Sequence, residues 1–127
     1  MIDIAKESIA KTFLESLRAK DWMNMRSCMC DDITWSLPGT GTISGLAVGV
    51  EATIEKAQKI ASYGLTFTLL HLLEGADGFT LSLNNTAVRD GLKLDEFLAT
   101  VCVVRDGRIA SITTYLSDVP MMNAFFV

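Results

Sequence analysis

At 127 residues, with half of them hydrophobic and a fifth charged, the chain is long enough to bury a core and too apolar to stay disordered. A net charge of −4 and the lack of any basic cluster argue against nucleic acid as a partner, since a binder needs a basic face to replace phosphate counterions. Cys28, Cys30 and Cys102 form no CxxC pair and have a single histidine for company, so buried reduced thiols are expected, with no metal and no cofactor. The first 20 residues interleave charge with apolar side chains, unlike a signal peptide or a membrane span. A soluble, cytoplasmic protein that does not engage membranes is the expectation, with residues 1–127 as one domain.

In chain order, Ile9, Phe13 and Leu17 recur at i, i+4 and i+8, with Ile2, Ala5 and Ala10 on the flank and charged residues opposite. This spacing predicts an amphipathic helix over 2–18. Asp21 reads as the N-cap of a second helix over 22–29, whose Trp22, Met25 and Met29 suit an adaptable core or the wall of a flexible apolar pocket. A short strand at 33–37 runs into Pro38-Gly39-Thr40-Gly41, which must turn. Ile54, Ala57 and Ile60 predict a third helix over 48–62, stopped at Tyr63-Gly64.

The remainder reads as strand. Asp77-Gly78, Asp90-Gly91 and Asp106-Gly107 each separate runs rich in apolar and β-branched residues, the pattern of type I′ hairpins. Four antiparallel strands follow, over 65–75, 79–88, 92–104 and 108–117, and the last segment, MMNAFFV, is a turn or helix. The fold class is α+β: a curved, mostly antiparallel sheet with three N-terminal helices on its concave face.

Counting outward from two-residue turns places His71, Asn84, Thr86, Asp95, Phe97, Thr114, Leu116 and Asp118 on one mixed face. Leu72, Leu83, Leu98 and Tyr115 fall on the other, with Leu81 and Cys102. A mixed face under helices suits a pocket with apolar walls and a few convergent polar groups. A face open to solvent, or a bulge that flips one strand, are the plainer readings.

The stretches DDITWSLPGTGTISGLAVGVEAT at 31–53, LLHLLEGADGFTLSL at 69–83 and VVRDGRIASITTYLSDVPMMNAF at 103–125 carry a resemblance. In this order of elements the chain resembles the SnoaL-like polyketide cyclase group of the nuclear transport factor 2-like and ketosteroid isomerase-like superfamily, along essentially its whole length. The resemblance implies a deep apolar pocket between sheet and helices, and a homodimer through the outer sheet face. It also implies an aspartate where Thr114 stands, with Asp118 matching a second, usually non-catalytic acid. The Arg-x-Asp pair of the fold's epoxide hydrolases falls on Leu83 to Thr86, and their tyrosine and asparagine fall on Thr34 and Ser36. Ketosteroid isomerases keep a base aspartate near Trp35-Ser36. None of these constellations is intact here.

A threonine hydroxyl does not exchange protons usefully near neutral pH, so acid–base work falls to His71, Asp95 or Asp118. The expected activity is an isomerase, cyclase or lyase acting on an apolar, carbonyl-bearing small molecule. His71 would be its base, and Trp35, Asn84, Thr86, Phe97, Thr114, Leu116, Trp22 and Met25 would line the pocket. The alternatives are a binding module for an apolar metabolite and a structural member of the fold whose cavity its own Met and Phe side chains fill.

Overall fold

In the computed structural model, which describes residues 2–127, the chain runs helix, helix, strand, strand, helix, four strands, helix. Asp3 accepts hydrogen bonds from the Ala5 and Lys6 amides and starts α1 (Ile4–Ala19), which stops where Lys20 turns left-handed. Asp21 caps α2 (Trp22–Ser27) through the Asn24 amide. That helix ends two residues before the sequence pattern suggests, because Met29 already pairs with Ile109 and begins β1 (Met29–Leu37).

A strand that the sequence pattern hides, β2 (Gly45–Val48), pairs antiparallel with β1. Leu46 and Val48 look outward there, so the segment has no buried alternation by which to read it. Gly49, at φ 90°, then turns the chain into α3 (Val50–Ala61).

β3 (Thr66–Glu74), β4 (Gly78–Arg89), β5 (Leu92–Arg105) and β6 (Arg108–Leu116) form the meander, and α4 (Val119–Phe125) closes it as a fourth helix. The strand order is β2-β1-β6-β5-β4-β3, and only the β1–β6 pair is parallel. The α+β class holds, with a curved open sheet and one helix more than the three expected.

Two of the three Asp-Gly turns take the geometry their sequence dictates. Asp90 and Gly91 sit at φ 50° and 78°, Asp106 and Gly107 at 53° and 77°, the positive pair a type I′ turn needs. At the third, the Gly75 amide donates to the Gly78 carbonyl and Glu74 pairs with Phe79, so Ala76 and Asp77 form the tip. Gly78 has a different task. A Cβ there would overlap the Cys102 carbonyl oxygen and stand 3.0 Å from Val103 Cα. Gly78→Ala is therefore expected to force β4 and β5 apart and to destabilise by about 1–3 kcal/mol or more. Urea unfolding would measure it, and an unchanged midpoint would refute the close approach.

Two bulges set the final register. Leu70 is an extra residue in β3, between the Leu69–Leu83 and His71–Ser82 pairs. Ala110 is an extra residue in β6, between the Val104–Ile109 and Val103–Ser111 pairs. Beyond Ala110 the pairing moves by one: Thr114 faces Thr100 and Tyr115 faces Ala99. Thr114 and Tyr115 therefore exchange faces relative to the simple count. Thr114 is buried on the concave side, and Tyr115 is exposed on the outer side.

The two faces also exchange roles. The helices cover the apolar face, burying Phe79, Leu81, Leu83, Cys102 and Ile112 against Phe13, Leu14 and Leu17 of α1 and Ile54, Ala57 and Ile60 of α3. The mixed face looks outward. The apolar stripes of the helices gain most from the face with fewest polar groups to desolvate. Leu72, Leu83 and Leu98 consequently belong to the core or pack against it and are not available to a partner; of the four residues assigned to a dimer face, only Tyr115 is exposed there. All three cysteines are buried and unpaired. No helix among the described residues is long and apolar enough to cross a membrane.

Candidate functional site

Of the residues singled out from sequence, one group meets inside the cone. The Trp35 indole Nε1–H donates to Thr114 Oγ1 at 3.0 Å, with both residues 4% exposed. Phe13 meets Trp35 edge to face, ring centroids 6.1 Å apart. Met25 is fully buried, and Trp22 and Leu116 pack at the margin of the same core. Thr114 thus stands at an interior position, and its hydroxyl is already engaged.

The second group lies outside. His71 is exposed on the outer face opposite Ser82, away from any interior wall. Asn84 Nδ2 donates to Asp95 Oδ1 at 2.9 Å and to the Glu96 carbonyl at 3.1 Å, a cross-strand clasp on the same outer face. Thr86 pairs with Asp95, and Phe97 is 54% exposed beside them. His71, Asp95, Asn84, Thr86 and Phe97 therefore do not converge with Trp35 and Thr114. Asp118 belongs to neither group: its side chain accepts from the Met121 amide at 3.0 Å and caps α4.

The residue that sequence reasoning passed over is Glu96. It is 2% exposed on the concave face, between Leu94 and Leu98 in the inward alternation of β5. Its Oε2 accepts from the Asp118 amide at 2.6 Å and from Ser117 Oγ at 2.8 Å. Its Oε1 is buried without a partner, and so is Oδ1 of Asn85, its direct cross-strand neighbour. Glu96 and Asn85 are thus directly opposed across β4 and β5, and each carries one buried oxygen without a partner.

Such an arrangement is costly for a carboxylate and far less so for a carboxylic acid, whose proton turns one acceptor into a donor. Burial accordingly pushes the Glu96 carboxyl above its ordinary value. The bonds from Ser117 and Asp118 oppose that shift, and the charges of Asp118 and Asp95 add to it. The signal was present in Leu94-Asp95-Glu96-Phe97-Leu98: a charge at an inward position. It was missed because the faces were exchanged.

The site is roofed by α4 and the segment after it. Arg89 Nη2 donates to the Phe125 carbonyl at 2.6 Å, and its guanidinium lies 4.5 Å from the Tyr63 ring centroid. The Thr42 amide donates to the Phe126 carbonyl, and the Thr40 amide to Asn123 Oδ1 at 2.7 Å. Phe125, Phe126 and Met122 are buried under this roof. Among the described residues no cluster of His, Cys, Asp and Glu is placed to hold a metal ion.

Known proteins place this architecture. Bal32a, from a soil-derived mobile gene cassette, superposes with a TM-score of 0.87 at 23% identity, over 97% of this chain and 99% of that one. An NTF2-like protein from Burkholderia xenovorans LB400 gives 0.84 at 18% identity, over 100% and 99%. TerC, crystallised with polyporic acid, gives 0.82 at 14% identity, over 95% and 98%. At these identities the likeness is one of fold. No curated protein sequence matches the chain. The SnoaL-like domain profile matches residues 10–112, most of the chain, and the protein therefore belongs to the SnoaL-like family, with a fold that NTF2-like structures share.

Proposed function

We propose that this protein is an acid–base catalyst, an isomerase or cyclase acting on a small, apolar, carbonyl-bearing molecule. Glu96 is the acid. The observation that carries this reading is the buried Glu96 carboxyl, with one oxygen anchored and the other without a partner beside Asn85. A carboxylic acid kept neutral in an apolar site can donate to a carbonyl oxygen as negative charge develops on it, the electrostatic assistance that dominates many such reactions. Asp118, whose backbone amide anchors Glu96 and whose side chain caps α4, is released from that cap as α4 is displaced and is then the carboxylate that takes the proton from the carbon next to the carbonyl.

Entry is by displacement of α4. The interior beneath it is filled by Phe125, Phe126 and Met122, so substrate exchanges places with the protein's own side chains. TerC, of the same fold and crystallised with polyporic acid, supports a ligand-handling reading over a purely structural one. The test is turnover of a panel of apolar ketones and quinones by the wild type and by Glu96→Gln. Activity that survives unchanged in the variant would remove Glu96 from the mechanism.

The outer sheet face supports a homodimer. Leu73, Phe97 and Tyr115 are 54%, 54% and 62% exposed there, and large apolar side chains on one open face favour a two-fold contact. Sedimentation at micromolar concentration is expected to give a dimer, and Phe97→Lys with Tyr115→Glu a monomer. A wild-type monomer would refute the contact.

A further inference from the structure

A cavity lies between α1 and the β3–β4 hairpin, apart from the Glu96 site. It has a volume of about 150 Å³, and its floor is Ala10, Leu14 and Leu81, which are 1%, 3% and 1% exposed. Leu72 and Leu69 wall it on the β3 side. Leu81 and Asn85 are four residues apart on β4, about 13 Å, so this opening does not reach Glu96.

The walls are unusual for where they stand. β3 is an edge strand, and such strands ordinarily carry charges that discourage pairing. This one carries Leu69, Leu70 and Leu72 together, with the extra residue Leu70 falling between the two wall residues Leu69 and Leu72 in sequence. Bulges of this kind re-aim side chains beside binding sites.

The rim supplies the polarity. Lys11, Glu15 and Arg18 line the mouth from α1, at i, i+4 and i+7, one stripe of the helix. Lys11 is paired with Glu7 at 2.8 Å. Arg18 has no carboxylate partner among the described residues. Its Nε and Nη2 converge on the Phe67 carbonyl at 3.2 and 2.7 Å, which holds the guanidinium in place at the mouth.

We propose that this cavity binds a single-ring aromatic carboxylate, with the ring on Leu72 and Leu81 and the carboxylate on Arg18. The size sets the ring count: an apolar cavity of about 150 Å³ accepts a benzene-sized molecule. The fixed guanidinium sets the charge, because planar donors suit a carboxylate.

The experiment titrates the full-length chain with benzoate, toluene and biphenyl-4-carboxylate, followed by amide chemical shifts. Benzoate is expected to bind with a Kd in the millimolar range, as about 10 non-hydrogen atoms allow, and to shift α1, 69–72 and 81. Toluene is expected to bind about tenfold more weakly, and biphenyl-4-carboxylate not at all. Arg18→Gln should weaken benzoate about tenfold without changing toluene, since a charge-assisted hydrogen bond is lost, and Arg18→Lys should recover part of it. Ala10→Val, which narrows the floor, should weaken both ligands; if that variant unfolds, the Arg18 pair still decides. Benzoate shifts located elsewhere, equal affinity for toluene, or indifference to Arg18→Gln would each overturn the proposal. Glu96→Gln should leave benzoate binding intact, so failure here and failure of the acid–base reading are separate results.

Discussion

Glu96→Gln is expected to lower turnover of an apolar carbonyl substrate by about 10²–10⁴-fold, the range that a positioned general acid supplies. Glutamine keeps the shape of the side chain and can still bond Ser117 or the Asp118 amide through one oxygen, so the anchor of α4 is not simply cut. What disappears is the proton.

The same substitution has a signature in stability that needs no substrate. Burial raises the folded-state Glu96 value above the ordinary 4.5, so between the two values the folded chain holds more protons than the unfolded one. Stability from this group is complete below the unfolded value and is lost as pH rises through the folded one. The wild type is expected to lose stability with rising pH across that window, and Glu96→Gln to lose less of it. Denaturation midpoints measured from pH 4 upward check this, and parallel profiles for the two proteins would mean that Glu96 is ionised without penalty.

Phe125→Ala is expected to destabilise the fold by about 3–5 kcal/mol, as for other large buried aromatic truncations. Phe125 is 1% exposed, its ring centroid lies 5.1 Å from that of Phe126 and 6.1 Å from that of Tyr63, and the Arg89 guanidinium is 5.5 Å from it. Removing the ring leaves a void at the point where α4 and its following residues are pinned to the sheet. For a chain of this length the loss corresponds to a fall of roughly 10–20 °C in Tm. Because Phe125 pins the C-terminal end of α4, amide exchange in α4 should quicken well before the rest of the chain responds. A fall of under 1 kcal/mol would show that the helix is loosely held and the roof already open.

Much of this molecule was legible from local rules. The amphipathic stripe of α1, the cap at Asp21, and the type I′ turns at Asp90-Gly91 and Asp106-Gly107 are determined within a few residues, because φ, capping oxygens and helical period act at that range. The β4–β5 register followed from its turn alone: Arg89 with Leu92, Asn84 with Phe97, Thr86 with Asp95. The short strand β2 was not legible, since both of its large side chains face outward.

The candidate site was read less well, for two reasons that no local pattern contains. An extra residue at Ala110 carries no mark in RIASITTYL, a run of ordinary strand formers, yet it turns Thr114 inward and Tyr115 outward. The sequence separated β4 and β5 into an apolar face and a mixed face, but its reading put the helices over the mixed one, and they cover the apolar one. That choice rests on the desolvation of every polar group on each face at once, and only packing adds it up. His71, Asp95 and Asn84 were placed with solvent by the packing, and Glu96 was placed in the core. The sequence by itself determined most of the elements, most of their ends and the family; the tertiary structure alone decided which carboxyl is deprived of water, because burial is a property of the assembled layers and not of any one strand.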